Sequence, residues 1–309
     1  MIWQPDLCAA LEKQGCRVAL QAPMAPYTTF RIGGPADAVI TAPSAQALAE
    51  ALRLCREHEL PVTLIGKGSN LLVSDDGIEG AVVRLDDRSQ PITCDPATGM
   101  VTAFAGVSIG RLCREARDHG LTGLEFAFGI PGSVGGGVYM NAGAYGGQFA
   151  DVLHSVTLLS PETGTLRTAP AAELQLDYRH SALMQTNDVV VDATFRLSAG
   201  NVEAITARMK ELMAKRRDKQ PLEYPSAGSF FKRPQGHFAA ALIDQCGLKG
   251  FDVGDAQVSE KHAGFVINRG HATCRDMIAL KREVCRRVWE QCQVALEPEV
   301  ALIGRNVSW

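Results

Sequence analysis

The sequence predicts an α+β protein of three consecutive units, and three observations support this fold class. Short apolar runs typical of strands are mixed with amphipathic segments typical of helices. The composition, with 46% hydrophobic and 21% charged residues, is that of an ordinary globular protein. The length of 309 residues allows two or three packed units. We place these units at 1–85, 86–199 and 200–309.

The first unit is predicted to be a small β-α-β-loop-β domain. Ser44 is expected to cap an amphipathic helix over 45–59. The expected strands are DAVITA at 37–42, PVTLIG at 61–66, LLV at 71–73 and GAVVRL at 80–85. The first twenty residues receive no assignment.

The second unit combines a strand and a helix with a hairpin. A strand over 100–107 precedes a helix over 109–119, which Ser108 is expected to cap and Gly120 to end. A hairpin over 151–169 with a Pro/Gly turn and a strand over 187–200 follow. Between helix and hairpin lies the uncharged segment GIPGSVGGGVYMNAGAYGG, at 129–147, whose eight glycines and one proline disfavour a helix.

The third unit is predicted to contain three helices and a few strands. The expected elements are helices over 201–220, 237–247 and 272–292, a strand within 262–270, and a closing strand pair or bent strand over 294–304. The cluster Lys215, Arg216 and Arg217 is interpreted as a solvated face at a helix C-terminus.

Charge and cysteine content exclude several classes of function. The net charge of −3 gives no reason to expect a nucleic-acid partner. The nine cysteines include no CxxC pair, so we expect reduced thiols and no metal site. We find neither a signal peptide nor a membrane span in the sequence. We therefore expect a cytoplasmic protein, and we expect a monomer.

Two glycine-rich stretches are candidates for a dinucleotide site. Glycine allows backbone N–H groups to approach a ligand closely, and consecutive N–H groups bind anions. The stretch GKGSN at 66–70 is not a Rossmann motif, because Leu71 occupies the place of the third glycine, and the chain contains no P-loop. The alternative is that these glycines only permit tight turns. Asn141 is expected to fix backbone groups by side-chain hydrogen bonds.

Seven motifs in one order make the chain resemble the UDP-N-acetylenolpyruvoylglucosamine reductase (MurB) family. The resemblance covers nearly the whole chain from about residue 20. The motifs are TTFRIGG at 28–34, GKGSNLLVSDDGIEG at 66–80, GIPGSVGGGVYMNAGAYGG at 129–147, YRHS at 178–181, SAGSFFKRP at 226–234, EKHAGFVIN at 260–268 and LEPEV at 296–300. The short spacing between YRHS and SAGS resembles the shorter class, which lacks an extra tyrosine-bearing loop.

The resemblance implies both a fold and a reaction. The first two units would form an FAD-binding module of the vanillyl-alcohol-oxidase (PCMH) type, and the third would be an α+β substrate-binding domain. The implied enzyme is an NADP-dependent oxidoreductase of peptidoglycan synthesis. A hydride would pass from NADPH through FAD to the enolpyruvyl methylene carbon of UDP-N-acetylglucosamine-enolpyruvate. A proton added to the adjacent carbon would give UDP-N-acetylmuramate.

The family motifs also imply which residues bind the cofactor. These are Gly66, Lys67, Gly68, Ser69, Asn70, Ile130, Pro131, Gly132, Ser133, Gly136, Asn141, Ala142 and Gly143. The stretches 61–118 and 120–153, which include the two glycine-rich loops, contain no histidine to which FAD could be attached covalently. We therefore expect the FAD to be bound without a covalent link.

Three residues are implied as catalytic. Arg179 would donate hydrogen bonds to the substrate carboxylate, although pairing with Asp177 or Glu173 is the structural alternative. Ser229 would be the proton donor, helped by a cation such as Lys232; the alternative is an ordinary loop serine. Glu297 and Glu299 lie two residues apart, so spacing cannot choose between them. The family motif selects Glu299, which would polarise the enol(ate) site or share a proton together with Arg179. Glu297 is the better candidate for a surface ion pair.

Four further residues are implied to bind the substrate. Lys232 and Arg233 are suited to a diphosphate, although many family members have Asn in place of Arg233. Tyr178 and His262 also lie in family motifs, but a lone histidine is more often structural. Two other functions remain open from the residues: a related FAD-dependent oxidase acting on another substrate, and a non-enzymatic nucleotide-binding regulator.

Overall fold

The computed structural model describes residue 3 and residues 5–86 and 90–309. Within these residues the chain forms two compact units. Unit 1 comprises Met1–Ala19, Ala38–Lys67 and Gly80–Lys215, and unit 2 comprises Leu20–Asp37, Gly68–Glu79 and Arg216–Trp309. Each of these two units combines segments from more than one predicted domain. The predicted domain boundaries at 85/86 and 199/200 therefore remain a prediction.

The mixed α+β composition predicted from the sequence is confirmed. The helices are α1 (Pro5–Lys13), α2 (Ala45–Glu57), α3 (Ile109–Asp118), α4 (Val134–Tyr139), α5 (Val202–Lys219), α6 (Ala239–Gln245) and α7 (Cys274–Cys292). None of the helices described here is long and apolar enough to cross a membrane.

The strands are short and are spread along the described chain. In the first half they are β1 (Arg17–Pro23), β2 (Pro35–Ala42), β3 (Val62–Ile65), β4 (Leu71–Val73), β5 (Ile78–Leu85), β6 (Thr93–Asp95), β7 (Met100–Phe104), β8 (Leu121–Thr122), β9 (Gly143–Ala144), β10 (Gly147–Gln148) and β11 (Leu153–Leu159). In the second half they are β12 (Leu166–Pro170), β13 (Val189–Arg196), β14 (Ser198–Ala199), β15 (Ser226–Ser229), β16 (Asp252–Val253), β17 (Ala256–Val258), β18 (Phe265–Asn268) and β19 (Ala301–Ile303).

The larger sheets are built mainly from neighbouring antiparallel strands. One sheet has the order β1-β2-β5-β3, with β3 parallel to β5. The second has the order β12-β11-β13-β7-β6, and β11 with β12 is the predicted hairpin. The third, in unit 2, has the order β15-β18-β17-β16.

Local signals account for the long helices. The Ser44 hydroxyl accepts a hydrogen bond from the Ala47 N–H, as predicted for the cap of α2. Ser108 does occupy the cap position of α3, but its side chain caps no N–H of the described residues, so that part of the prediction is wrong. Gly120, with φ +67°, follows the helix as predicted.

A short helix forms inside the glycine-rich segment, contrary to the sequence prediction. The α4 helix is capped by Ser133, whose hydroxyl accepts from the Gly136 N–H. A Cβ at Gly135 would lie 2.8 Å from the Ala105 Cβ, and one at Gly137 would lie 2.6 Å from the Phe149 ring. The glycines therefore weaken the helix intrinsically but allow it to pack closely against its neighbours.

Two expectations at other places need correction. The closing segment contributes the short strand β19, which pairs in parallel with β4, rather than a strand pair or a bent strand over 294–304. Arg216 is buried within its helix rather than solvated, whereas Lys215 and Arg217 are exposed. The first twenty residues, for which no element was predicted, contain α1 and the start of β1, and Leu7 and Leu11 of α1 are buried.

Each unit has its own hydrophobic core. In unit 1 the core includes Phe149 and Phe195, whose rings meet edge to face at 5.1 Å. In unit 2, α7 buries one face from Cys274 to Val288. Phe230 lies at the centre of that core and is fully buried.

Candidate functional site

The first glycine loop, at 66–70, begins where β3 ends and approaches the second loop within unit 1. A Cβ at Gly66 would lie 2.3 Å from the hydroxyl oxygen of Ser133. No side chain larger than hydrogen fits there without displacing Ser133. The two stretches that the sequence nominated are therefore in direct contact at Gly66 and Ser133.

The second half of this loop lies in unit 2 and is held against residues 27–29. Gly68 has φ +63°, and a Cβ there would lie 2.1 Å from the Tyr27 carbonyl oxygen. The Gly68 carbonyl accepts a hydrogen bond from the Thr29 N–H at 3.2 Å. The Thr29 hydroxyl is buried and has no hydrogen-bond partner in residues 3, 5–86 and 90–309. Such a donor indicates a missing acceptor.

The second loop presents backbone and small side chains. Ser133 is buried, whereas Pro131 and Gly136 are exposed. The Gly132 carbonyl accepts from the Ile109 N–H at 3.0 Å, which ties the loop to α3. Ile130 and Gly143 are partly exposed, and Ala142 is buried.

Asn141 fixes the loop rather than facing a ligand. Its side chain is buried, and its Nδ2 donates to Gln148 Oε1 and to the Asp177 carbonyl, each at 3.1 Å. Its Oδ1 accepts from the Ala150 N–H at 2.9 Å. The predicted hydrogen bonding of Asn141 to backbone groups is therefore confirmed, and it is directed into the protein.

The residues of the two loops fit an anionic dinucleotide. Neither 66–70 nor 129–147 contains a carboxylate, and Lys67 supplies a partly exposed cation. The close approaches at Gly66 and Gly68 leave no room for side chains, so the loops present bare backbone. A diphosphate would therefore meet one cation and no carboxylate of these two stretches.

Arg179 occupies a tight turn in unit 1. Asp177 and His180 exchange two backbone hydrogen bonds of 3.1 Å, which leaves Tyr178 and Arg179 as the central turn residues. Arg179 has φ +53°, a conformation that is costly for a residue with a Cβ. Its guanidinium lies 5.4 Å from the centre of the Tyr178 ring. Backbone strain of this kind is common where a side chain must be presented for function.

The two acidic residues nominated as alternative partners of Arg179 have contacts of their own. Glu173 forms an ion pair with Arg167 at 3.0 Å. The Asp177 carboxylate accepts from the Tyr178 N–H at 2.7 Å.

Ser229 ends β15 in unit 2 and is exposed. It is paired with Phe265, and the register shifts between Ser226 and Ser229. Such a bulge changes the direction of a side chain relative to a regular strand. The next residue, Phe230, is fully buried and anchors this end of the strand.

Glu299 lies beside Ser229 along the backbone. The Glu299 N–H donates to the Phe230 carbonyl at 2.8 Å, and the Glu299 carbonyl accepts from Asn70 Nδ2 at 3.1 Å. The Oε2 atom of Glu299 is buried, whereas the side chain of Glu297 is 74% exposed. Glu297 pairs with Lys232 at 3.4 Å. The environments of the two glutamates differ, as the sequence interpretation expected.

The remaining nominated residues of unit 2 lie near this strand or its neighbours. Lys232 and Arg233 are exposed, and the Arg233 guanidinium lies 4.8 Å from the centre of the Phe238 ring. The Nδ1 atom of His262 accepts from the Gly264 N–H at 3.1 Å, and burial lowers its pKa below 6.5. The contact with Gly264 fits the structural interpretation, in which His262 holds a loop.

The nominated residues fall into two groups according to unit. Unit 1 brings together Gly66, Ser133, Asn141 and the turn of Arg179, and unit 2 brings together Asn70, Ser229, Lys232 and Glu299. The sequence interpretation did not nominate Ser181 or Thr29. Ser181 lies in the motif YRHS and Thr29 in the motif TTFRIGG. The sequence alone does not show which hydroxyl groups are buried.

Comparison with known proteins covers almost the whole chain. Residues 36–169 match the family model described as an FAD binding domain. Residues 220–303 match the model described as UDP-N-acetylenolpyruvoylglucosamine reductase, C-terminal domain. A protein named UDP-N-acetylenolpyruvoylglucosamine reductase from Lachnoclostridium phytofermentans is 47% identical over 294 residues, which are 94% of each chain.

Two further matches agree with this result. A protein of the same name from Latilactobacillus sakei subsp. sakei is 45% identical over 293 residues, 95% of each chain. The crystal structure of UDP-N-acetylenolpyruvylglucosamine reductase from Thermus caldophilus superposes with a TM-score of 0.77 at 37% identity. That match covers 93% of this chain and 98% of the other.

Proposed function

This chain belongs to the UDP-N-acetylenolpyruvoylglucosamine reductase family, and from that premise we propose that it reduces UDP-N-acetylglucosamine-enolpyruvate to UDP-N-acetylmuramate. The observation that carries the proposal is the identity of 47% over 94% of both chains. The fold predicted from the resemblance, an FAD-binding module of the vanillyl-alcohol-oxidase type followed by an α+β domain, is confirmed. The product is a precursor of peptidoglycan.

FAD is the cofactor, and the two glycine loops are its proposed binding residues. When bound, FAD supplies the hydride that is added to the methylene carbon of the enolpyruvyl group. Gly66, Gly68 and Gly136 would offer bare backbone, and Lys67 would face negative charge. Ser133 would hold the second loop in place. NADPH is the proposed source of electrons.

Arg179 is proposed to bind the substrate carboxylate. Addition of hydride to the methylene carbon places negative charge on the neighbouring carbon and, by delocalisation, on the carboxylate oxygens. A guanidinium stays charged at every relevant pH and donates two parallel hydrogen bonds to a carboxylate. Donors that are already oriented stabilise developing charge without reorganisation. The turn with φ +53° provides such an orientation.

Ser229 is proposed to deliver the proton to the neighbouring carbon. Its exposed hydroxyl lies at the bulged end of β15, and the buried Phe230 next to it restricts its backbone. Lys232, three residues further along, would favour the alkoxide that remains after proton transfer.

Glu299 is proposed to act with Ser229 on the same carbon. Its backbone N–H donates a hydrogen bond to the carbonyl of Phe230, the residue after Ser229. This hydrogen bond connects Glu299 to the end of β15 that carries Ser229. In its protonated form, the partly buried carboxyl group of Glu299 would donate a hydrogen bond or a proton to the enolate, which the exposed Glu297 cannot do as effectively. Glu297 instead forms an exposed ion pair with Lys232 at 3.4 Å.

Four residues are proposed to hold the rest of the substrate. Lys232 and Arg233 would bind the diphosphate, and both are exposed in unit 2. Tyr178 is 50% exposed beside Arg179 and would contact the substrate as well. Burial lowers the pKa of His262, so this residue would contact the substrate through hydrogen bonds rather than through a charge.

We place the enzyme in the cytoplasm, as a monomer. The nine cysteines are all free, which suits a reducing compartment.

The experiment that tests this function is a steady-state assay on the purified holoenzyme. NADPH oxidation is followed with and without UDP-N-acetylglucosamine-enolpyruvate, and NADH is the control donor. We expect oxidation that depends on the enol ether and favours NADPH. Turnover that needs only molecular oxygen would instead indicate an oxidase, and a protein that binds no FAD would indicate a nucleotide-binding regulator.

A further inference from the structure

The turn that carries Arg179 is attached to the glycine-rich segment at both of its ends. Before the turn, the Asp177 carbonyl accepts a hydrogen bond from Asn141 Nδ2 at 3.1 Å. After the turn, the Ser181 hydroxyl donates to the Tyr139 carbonyl at 2.7 Å. The two points of attachment in the segment, Tyr139 and Asn141, are therefore two residues apart.

These two anchors lie in the interior of unit 1. Ser181 is fully buried and Asn141 is 2% exposed. Replacing such a buried donor removes the hydrogen bond that its partner carbonyl accepts. Tyr178, in the turn itself, is 50% exposed, so its burial does not hold the turn.

The backbone of Arg179 needs such anchors. A residue with a Cβ at φ +53° relaxes to a negative φ unless its surroundings prevent it. The two hydrogen bonds between Asp177 and His180 close the turn, but they do not fix its direction. Asn141 and Ser181 supply that direction by connecting the turn to the body of the unit.

We propose that Ser181 and Asn141 are positioning residues for Arg179: they fix the arginine turn to residues 139–141, so that the glycine-rich segment and the guanidinium form one rigid element. This inference rests on the proposed function, from which the role of Arg179 comes. It also gives Asn141 an indirect role, since its amide is occupied by Gln148, Asp177 and Ala150.

The first test measures the turn itself, without cofactor or substrate. Amide hydrogen exchange is recorded at Asp177 and His180, whose N–H groups close the turn. Ser181→Ala is expected to speed exchange at both positions, whereas Ser44→Ala, which removes the cap of α2, is the matched control and is expected to leave them unchanged. Unchanged exchange in Ser181→Ala would overturn the proposal.

The second test is a double-mutant cycle between Ser181→Ala and Arg179→Ala. Alone, Ser181→Ala should slow reduction of the enol ether by about 10- to 100-fold, because a small misplacement of a catalytic group has effects of that size. It should leave reduction of FAD by NADPH unchanged. In the Arg179→Ala background it should cause no further loss.

If Ser181→Ala slows reduction of the enol ether by the same factor in the wild type and in the Arg179→Ala background, the proposal is contradicted. Such a result would show that Ser181 acts independently of the arginine. If Ser181→Ala does not fold, Ser181→Cys takes its place in both tests, because the thiol keeps a side chain of similar shape but is a much weaker donor to the Tyr139 carbonyl. A wild-type enzyme that fails to turn over the enol ether would refute the proposed function, and the exchange test would still decide the anchoring of the turn.

Discussion

The contact between Gly66 and Ser133 allows a sharp test of how the two glycine loops hold the cofactor. In Gly66→Ala, the new Cβ would lie 2.3 Å from the Ser133 hydroxyl oxygen, about 1 Å inside van der Waals contact. If the hydroxyl rotates away, the cap of α4 is lost at a cost of about 1 kcal/mol. If the backbone moves instead, overpacking of this kind costs about 1–3 kcal/mol. We expect FAD affinity to fall by about 5- to 100-fold.

A second substitution, Ser133→Ala, should remove most of the loss of FAD affinity that Gly66→Ala causes. The Ser133 Cβ lies 3.5 Å from the new Cβ, an ordinary contact, so only the hydroxyl oxygen is in the way. Ser133→Ala alone should cost the cap, about 1 kcal/mol. The double variant should then bind FAD as Ser133→Ala does, rather than showing the sum of both losses.

The assay is titration of the apoprotein with FAD by flavin fluorescence, together with thermal unfolding. Gly110→Ala is the matched control, since a Cβ there meets only the end of the Arg114 side chain at 3.5 Å. It should leave FAD affinity unchanged. Additive losses in the double variant would refute the close approach of the two loops as the reason for glycine at 66.

Three further predictions concern other residues of the site. Arg179→Gly should remove turnover of the enol ether and raise the free energy of unfolding by about 1 kcal/mol relative to Arg179→Ala, because glycine accepts φ +53°; equal unfolding energies in denaturant titrations would contradict the strain. Glu297→Gln should change the free energy of unfolding by less than about 1 kcal/mol and leave kcat nearly intact, because the ion pair of Glu297 with Lys232 is exposed. Glu299→Gln should greatly lower kcat. Similar kcat values for the two variants would show that the two glutamates do not differ in function. Burial lowers the pKa of His262, so the unfolded chain binds the proton more readily and stability should fall as the pH drops below 6.5; His262→Asn should lose this part of the pH dependence in unfolding curves, and an unchanged profile would refute it.

Local signals in the sequence were sufficient for most helices and for the hairpin. The periodic burial of Ala47, Leu48, Ala51 and Leu52 and the Ser44 cap both follow from residues within one segment. The parallel pairing of β19 with β4 joins residues that are far apart in sequence, so no local pattern could predict it. Arg216 was misplaced for a similar reason, because its burial depends on tertiary packing rather than on the charges beside it.

The candidate site was predictable in composition but not in arrangement. The glycine loops and Arg179, Ser229 and Glu299 came from motifs whose chemistry could be named. The hydrogen bond that brings Glu299 next to Phe230 joins distant segments, and it could not be read from spacing. The helix in the glycine-rich segment was missed because the packing of Gly137 against Phe149 outweighs the poor helix propensity of glycine.

The most direct test of the central claim is an anaerobic single turnover. The holoenzyme is first reduced with one equivalent of NADPH and then mixed with UDP-N-acetylglucosamine-enolpyruvate in a stopped-flow instrument, while the visible absorbance of oxidised FAD is followed. We expect rapid return of that absorbance, with one UDP-N-acetylmuramate formed per FAD. In Ser229→Ala we expect the first reduction to be intact and the return phase to be lost. Flavin that stays reduced in the wild type until oxygen is admitted would contradict the central claim.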